Sequence, residues 1–444
     1  MALLWSDLLL YVLLIAAIGF AVRGASHWHV RAAWKQVMEQ PLAIIASVIL
    51  LLFLSIAFLD SIHWTRDNQQ EVSAFDAIMA PVGQHYEKTY SSPFALYTFT
   101  QEMQTTPEGK TERLFPRLEH AGLEISSEDE RTADLLKLSS VGLAYGVLGF
   151  LVWVFVSLSA VSLWQKRSCY LVPLQKKNWR LWYFTWFIGL VVLAILWQWS
   201  RHYHIFGTDQ VGQDIFYLTL KSIRTGVLIG TITTLVMLPF AILLGIAAGY
   251  FGGLVDDVIQ YTYTTLSSIP SVLLIAAAIL SMQLYIANHP EMFLTLNQSA
   301  DARLLALCMI LGVTSWTSLC RLLRAETLKL REMDFIRAAK ALGSRSWTIL
   351  IRHILPNVMH LVLITVVLDF SMLVLAEAVL SYVGVGVAPT TISWGNMINS
   401  ARLELAREPV VWWPISAAFI FMFLLVLSAN LFADAVRDAF DPRS

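Results

Sequence analysis

Residues 333–357, MDFIRAAKALGSRSWTILIRHILPN, form a polar, basic stretch between two long apolar segments of the sequence. Apolar residues recur in this stretch at the spacing of one helix face, in two sets separated by Gly343. The sets are Phe335, Ala338, Ala339 and Leu342, and then Trp347, Leu350, Ile351 and Ile354. Glycine readily adopts the left-handed conformation that ends a helix, and Pro356 marks a point where a helix stops or restarts. The pattern predicts two short helices joined by a sharp turn and held at a membrane surface by the flanking spans.

The composition of the chain is that of an integral membrane protein. Hydrophobic residues make up 57% of the 444 positions and charged residues only 14%, whereas a soluble chain carries about a quarter charged residues. A membrane-spanning helix needs roughly 20 apolar residues, and nine segments reach or approach that length. They are residues 3–22, 42–60, 139–164, 181–200, 226–250, 263–285, 303–324, 357–383 and 412–434.

The distribution of charge predicts the orientation of these spans. Basic residues concentrate in the loops at 22–41, 165–180 and 325–356, and basic loops stay on the cytoplasmic side. Nine spans place all three loops on that side, together with the C-terminus, and leave the N-terminus in the periplasm. Residues 61–138 then lie outside, where their 13 acidic and 7 basic residues can form a small extramembrane domain.

The sequence offers no sign of its own catalytic chemistry. It contains no G-x-x-x-x-G-K-[ST] phosphate loop, so we expect the chain not to hydrolyse a nucleotide. Its ten histidines are scattered. The nearest pairs, His27-x-His29 and His202-x-His204, lack a third ligand, which predicts no metal site.

Several stretches together carry a family resemblance. Asp334, Ala338, Ala339, Gly343, Leu355 and Pro356 match the acidic residue, paired alanines, glycine and Leu-Pro of the EAA loop, a cytoplasmic coupling motif. Three further stretches, in the right order, are Phe206–Asp214 (FGTDQVGQD), Gly252-Gly253 with Asp256, Asp257 and Ile269-Pro270, and Glu377–Gly386 leading to Ser393–Met397. From Asp209 onward the chain therefore resembles the permease subunits of bacterial ABC importers of the dipeptide, oligopeptide and nickel class.

The resemblance implies a fold and a division of the chain. The fold is an all-α polytopic membrane protein, with a six-helix ABC importer permease core, about three extra transmembrane helices and a small extracytoplasmic domain. The division is 1–33 as an extra N-terminal transmembrane helix, 34–60 as the first core helix, 61–138 as a periplasmic insertion domain, 139–205 as an inserted transmembrane helix pair, and 206–444 as the permease core with its cytoplasmic coupling loop at 325–356. Gln213 stands where the family usually has Arg, and Tyr217-Leu218 where it often has Ser-Arg, so docking on this side is expected to differ.

Candidate functional residues follow from the same motifs. The resemblance assigns ATPase coupling to Asp334, Arg337, Ala338, Ala339, Gly343 and Pro356. It offers Gly207, Asp209, Asp214, Trp394 and Asn396 as the outer-loop residues on which a binding protein would dock. For Asp209 and Asp214 we favour a plainer role, capping and ordering the loop.

Asp369 and Glu377 lie inside the 357–383 span. A charge at the centre of a membrane helix costs about 2.5–3.5 kcal/mol on insertion scales, so both should face protein or water rather than lipid. They are candidates for a pathway or gate, with a buried carboxylate bonded to a neighbouring helix as the alternative.

The resemblance also implies partners and a mechanism. The partners are a second homologous permease subunit, two ATPase subunits, a periplasmic substrate-binding protein and membrane lipid, with no nucleic acid. ATP and Mg²⁺ would be bound by the ATPase, leaving no cofactor in this chain. The implied function is peptide uptake across the inner membrane by alternating access.

Other interpretations remain open from the residues. The substrate could be a cationic peptide, a polyamine or nickel. The 333–357 stretch could lie on anionic lipid, and a helix-turn-helix on DNA is disfavoured because both ends are tethered to spans. A secondary transporter would need ionisable residues in related halves, which the sequence lacks, and a membrane-anchored scaffold or sensor would act through residues 61–138.

Overall fold

The structure, a computed structural model, describes residues 4–24, 28–65, 71–105, 111–123, 128–165, 176–289, 291 and 295–440. His27 and the 166–175 part of the second basic loop lie outside these residues. The helices of the described chain are α1 (Trp5–Gly24), α2 (Trp28–Val37), α3 (Pro41–Asp60), α4 (Ala74–Ile78), α5 (Ala80–Gly83), α6 (Arg131–Gln165), α7 (Lys176–His202), α8 (Ile215–Phe251), α9 (Gly253–Ser268), α10 (Ser271–Asn288), α11 (Leu296–Ser315), α12 (Thr317–Arg331), α13 (Asp334–Ala341), α14 (Ser346–Ile349), α15 (Leu355–Tyr382), α16 (Trp394–Ala401) and α17 (Trp413–Phe440). The strands are β1 (His63–Thr65), β2 (Glu71–Ser73), β3 (Glu102–Thr105) and β4 (Thr111–Leu114).

The all-α prediction is confirmed, with two small exceptions. Strands β1 and β2 form one antiparallel hairpin, and β3 and β4 form another. Within the described residues, eight helical stretches are long and apolar enough to cross a membrane, and each overlaps one predicted span. The ninth predicted span, residues 3–22, corresponds to α1, in which Trp5–Ile15 is a shorter apolar stretch.

One predicted span has the wrong boundaries, and a proline explains the difference. The span predicted at 263–285 is broken into α9 and α10, because Ile269 is extended (ψ 131°) before Pro270, as residues before proline tend to be. Helix α9 begins at Gly253, so that most of the stretch between this span and the preceding one is helical. The span predicted at 42–60 agrees with α3, which begins at Pro41 after the extended residue Gln40.

The described chain divides into two compact units, of which the first consists mainly of residues 21–225 and 392–428. In this unit α6 packs along α7 at very short range. A Cβ atom added at Gly142 would lie 2.7 Å from the Cα of Ile195, and one at Gly146 would lie 2.6 Å from the Cα of Val191. Two glycines four residues apart thus bring the helix backbones together, as small residues do between membrane helices.

The second unit consists mainly of residues 3–20, 226–391 and 429–440. One of its buried clusters joins α8, α9, α12, the 333–357 stretch and α15, and we call it the inner cluster. Another cluster contains Leu10 of α1 together with Leu228 and Leu307. The helix predicted as an N-terminal addition therefore contributes to the core of this unit.

Candidate coupling and outer-loop sites

The coupling segment (residues 333–357) has the predicted shape of two helical pieces and a sharp turn. Helix α13 begins at Asp334, whose carboxylate lies in the first turn, where negative charge is favourable. At its end the amide of Gly343 donates to the Lys340 carbonyl (3.1 Å), and the amide of Ser344 donates to the Ala339 carbonyl (3.1 Å). This pair of bonds, with Gly343 at φ +77°, is a Schellman termination, which requires the left-handed conformation at the glycine.

Pro356 lies at the point where the second helical piece changes its winding. Residues Leu350–Ile354 form a π-helical turn in which the amide of Leu355 donates to the Leu350 carbonyl. Helix α15 follows without a break, and Pro356 comes just after the π-helical turn. The proline therefore marks a change of winding inside a continuous helix.

The predicted apolar stripe is only partly the face that packs against the protein. The buried side chains are Ile336, Ile349, Leu350 and Ile354, all members of the inner cluster. Phe335, Leu342, Trp347 and Ile351 belong to the predicted stripe but are exposed, at 43%, 86%, 63% and 50%. In α13 the buried side chain is Ile336, which is not in the predicted stripe, whereas in the second piece Leu350 and Ile354 of the stripe are buried.

An apolar surface therefore remains uncovered on the coupling segment. We define the coupling patch as Phe335, Ala338, Leu342, Trp347 and Ile351, all of them exposed. Phe335 of α13 lies near His353, with ring centres 6.5 Å apart, which connects the two helical pieces. Exposed apolar patches on a rigid support are typical of protein interaction sites.

Three further predicted coupling residues, Asp334, Arg337 and Ala339, lie on α13. Asp334 is exposed, and Ala339 is half-buried against the inner cluster. The Arg337 guanidinium lies 2.5 Å from the Glu332 carboxylate, with both side chains more than half exposed. Such an exposed pair adds little to stability, which leaves Arg337 available to a partner's carboxylate.

The outer loop (residues 203–214) is ordered by its two aspartates. One carboxylate oxygen of Asp209 accepts hydrogen bonds from the amides of Val211 (2.9 Å) and Gln213 (2.8 Å). Asp214 precedes α8 and accepts a bond from the amide of Tyr217 (3.0 Å), which makes it an N-cap. These bonds confirm the capping and ordering role predicted for both residues.

The inserted segment (residues 61–138) packs directly on the outer loop. The amide of Glu87 donates to the Gly212 carbonyl (3.0 Å), and the Thr208 hydroxyl donates to the Thr89 carbonyl (2.8 Å). A Cβ atom at Gly207, which has φ +67°, would overlap the Ser91 carbonyl. Glycine is required here both by the positive φ angle and by the close approach of the backbone at Ser91.

A buried charged cluster joins the outer loop to the inserted segment. His204 of the outer loop contacts Asp214 through Nδ1 (2.6 Å) and Glu87 through Nε2 (3.4 Å). The Glu87 carboxylate also accepts the amides of Glu119 (2.9 Å) and His120 (2.8 Å). Sequence reasoning missed this cluster, because Glu87 lies 117 residues from His204 and no local pattern links them.

The cluster shifts the protonation of its members. Burial alone would lower the pKa of His204, but hydrogen bonds to Asp214 and Glu87 outweigh this effect and raise the pKa to about 9. Burial would raise the pKa of Glu87, but bonds from His204 and the two backbone amides hold it below its usual value. His204 is therefore an imidazolium at neutral pH, donating from both ring nitrogens to two carboxylates.

A second set of contacts, which we call the second anchor, also joins this region to the inserted segment. Asp76 of the inserted segment accepts from Lys221 (2.5 Å) and from the Tyr217 hydroxyl (2.7 Å). The Gln213 amide donates to the Tyr86 hydroxyl (3.2 Å). Gln213 and Tyr217, where the sequence departs from the motif it resembles, thus both contact the inserted segment.

The structure corrects the expected accessibility of the docking candidates. Gly207, Asp214 and Trp394 are buried, and the Trp394 indole donates to the Thr219 carbonyl (3.0 Å). Asp209 and Asn396 are half-buried. The Ser91 carbonyl of the inserted segment lies against Gly207, so this part of the loop is not open to a partner.

Of the two membrane carboxylates, Glu377 is the better satisfied. It is 2% exposed and accepts a hydrogen bond from the Ser381 hydroxyl (2.7 Å), so the prediction that it avoids lipid is confirmed. Asp369 is half-buried, and its carboxylate has no hydrogen bond or ion pair within the described part of the chain. A pathway or gate role for either residue stays a prediction. Over the described residues, no three His, Cys, Asp or Glu side chains are placed to hold a metal ion.

Comparison with known proteins assigns the family. Residues 241–444 match the family described as "Binding-protein-dependent transport system inner membrane component". An oligopeptide transport system permease protein from Mycobacterium bovis is 32% identical over 241 residues, which cover 54% of this chain and 76% of the relative. A glutathione transport system permease protein from Pectobacterium atrosepticum is also 32% identical over 241 residues, covering 54% and 73%.

A third relative is a dipeptide transport system permease protein from Lactococcus lactis subsp. cremoris. It is 30% identical over 241 residues, or 54% of this chain. The match spans 64% of that relative's length, just under two thirds.

Proposed function

Because the chain belongs to the family of binding-protein-dependent transport system inner membrane components, we propose that it is the permease subunit of an ATP-driven importer of peptides. Its family and its apolar helices make it a multi-pass inner membrane protein. The peptide class comes from relatives named for dipeptide, oligopeptide and glutathione transport.

The observation that carries this proposal is the uncovered coupling patch on a rigid support. Ile336, Ile349 and Ile354 fasten the coupling segment to the inner cluster, while Leu342 and Trp347 face outward. A partner ATPase can bury this apolar surface and pair its carboxylates with Arg337. Because the anchor is buried in the inner cluster, and protein interiors are closely packed, a displacement of the patch is carried into the helices behind it.

The ATPase supplies the chemistry in this mechanism. ATP and Mg²⁺ bind to two ATPase subunits on the cytoplasmic side. This chain contributes the coupling segment, which the ATPase contacts, and part of the pathway. A second, homologous permease completes the pathway, and a periplasmic binding protein delivers the peptide. Closure of the ATPases moves the coupling segments, and the helix bundle alternates its opening between the two sides of the membrane.

The test is co-purification of the full chain, tagged and expressed with its native neighbours. We expect stoichiometric ATPase subunits from the wild type and their loss from Ala338→Glu, which puts a charge in the exposed patch without disturbing the helix. Met103→Glu is the matched control, since Met103 is 70% exposed on the β3–β4 hairpin. Wild-type protein that brings down no ATPase, or Ala338→Glu protein that keeps it and still supports uptake, would contradict the proposal.

A further inference from the structure

Helix α12 holds α9 through two arginines placed one turn apart. Arg324 makes a two-pronged contact with Asp256, Nε to Oδ1 at 2.5 Å and Nη2 to Oδ2 at 2.7 Å. The guanidinium of Arg321 lies over the ring of Tyr263, 5.7 Å from its centre. Both arginines come from one face of α12, and both targets lie on α9, so the two helices are fixed in angle as well as in distance.

The Arg324–Asp256 contact is better built than an ordinary surface ion pair. Its two parallel N–H···O bonds match the planar guanidinium to the planar carboxylate, the strongest geometry available to this pair. The side chains are only 23% and 13% exposed, so water screens the pair less than at an open surface. Asp256 also lies in the first turn of α9, just after Gly252 and Gly253, both at positive φ, so the contact grips the start of the helix.

The same helix is pressed against the end of α8. A Cβ atom at Gly245 would lie 2.8 Å from the Cys320 carbonyl oxygen, and one at Gly249 would lie 2.6 Å from the Cβ of Thr327. Arg331 at the end of α12 donates to the Tyr250 carbonyl (3.4 Å). Glycines at these two positions let α8 and α12 approach closely.

Helix α12 leads directly into the coupling segment. Only Glu332 and Met333 separate it from α13, and Leu323 of α12 shares the inner cluster with Ile336 of α13. A displacement of α13 therefore reaches α12 through both the chain and the packed side chains. Helices α8 and α12 approach to backbone distance, whereas α9 is joined to α12 by shared apolar packing in the inner cluster and by the two arginine contacts.

We propose that Arg324 and Asp256 are a positioning pair that makes α9 follow α12 when the coupling segment is moved, so that ATP hydrolysis is converted into transport. This inference rests on the proposed function. Neither residue touches substrate or nucleotide; the pair acts by fixing α9, and through Pro270 the following helix α10, to the helix that the coupling segment drives.

The experiment measures three quantities on the assembled complex: the amount of ATPase that co-purifies, the rate of ATP hydrolysis, and uptake into proteoliposomes. For Arg324→Gln we expect normal co-purification, continued hydrolysis and uptake reduced about tenfold or more per ATP hydrolysed. Arg324→Lys keeps the positive charge but cannot make two parallel hydrogen bonds to the carboxylate. Its uptake per ATP hydrolysed should lie between those of the wild type and Arg324→Gln. The exchange Asp256→Arg with Arg324→Asp should recover part of the uptake that each single change loses.

Lys329→Gln is the matched control on the same helix, because Lys329 is 70% exposed and, among the residues that the structure describes, forms an ion pair only with Glu326 one turn away. It should leave uptake per ATP unchanged. The inference is overturned if Arg324→Gln keeps the wild-type ratio of uptake to hydrolysis, or if uptake falls only in parallel with the amount of ATPase bound, which would show a merely structural role. Wild-type protein that binds no ATPase would instead refute the proposed function.

Discussion

The coupling segment and the outer loop both resemble motifs of one family, yet their surroundings differ. In the coupling segment, Leu342 and Trp347 lie on the surface while a few isoleucines hold the segment in place. In the outer loop, Gly207 and Asp214 are buried; the Ser91 carbonyl of the inserted segment lies against Gly207, and Glu87 of that segment shares His204 with Asp214. A motif therefore predicts a local conformation well, but its accessibility depends on what distant chain packs over it.

Two tryptophans provide the sharpest test of this contrast. Trp394 is 2% exposed and Trp347 is 63% exposed. Trp394→Ala should cost about 3–5 kcal/mol, as large-to-small changes at buried sites do, and should lower the melting temperature of the detergent-solubilised protein. Trp347→Ala should leave the melting temperature nearly unchanged but reduce ATPase co-purification. Equal loss of thermal stability in both variants would remove the distinction between the two regions.

The His204 cluster predicts a pH dependence confined to the outer loop and the inserted segment. The pKa of His204 is raised from about 6.5 in the unfolded chain to about 9 in the fold. Its contribution to stability is therefore fully present below about pH 6.5 and is lost as the pH rises through about 9. Amide hydrogen exchange around residues 85–91, corrected for the intrinsic rate, should show lower protection at pH 9.5 than at pH 6.5.

His204→Gln should reduce the change in amide protection between pH 6.5 and pH 9.5. The coupling segment should show no such change, because its buried anchors are apolar. The lowered pKa of Glu87 adds a second limit on the acid side. The stabilisation by Glu87 is lost as the pH falls through its depressed pKa. Wild-type protection that rises between pH 6.5 and pH 9.5 would contradict the assigned cluster.

The smallest expected effect concerns the second anchor. Tyr217→Phe removes the hydroxyl bond to Asp76 but keeps the ring, which stacks on Phe75 with centres 6.1 Å apart. The loss should be about 1 kcal/mol, seen as faster exchange of amides near residues 74–83. Tyr97→Phe is the control, since the Tyr97 hydroxyl has no hydrogen bond among the described residues. An equal change in both variants would show that the Asp76 contact does not hold the segment.

Local patterns in the sequence were sufficient for the helices and for the turn at Gly343. Apolar runs of membrane length predicted the spans, because a helix that meets lipid must satisfy its own backbone and present apolar side chains. The break at Pro270 had a readable cause but was missed, since the predicted span at 263–285 continues across the proline.

Only the tertiary structure decided which face of each motif is available. The spacing of Phe335, Ala338 and Leu342 defines a stripe, but whether a stripe faces core or solvent depends on what packs behind it, and here Ile336 is the anchor. The pairing of Glu87 with His204 joins residues more than a hundred positions apart. The burial of Gly207 and Trp394 is likewise a result of the folded structure. Helix periodicity is a property of a few neighbouring residues and can be read from the sequence by itself, whereas burial and charge pairing depend on contacts that exist only once the chain has folded.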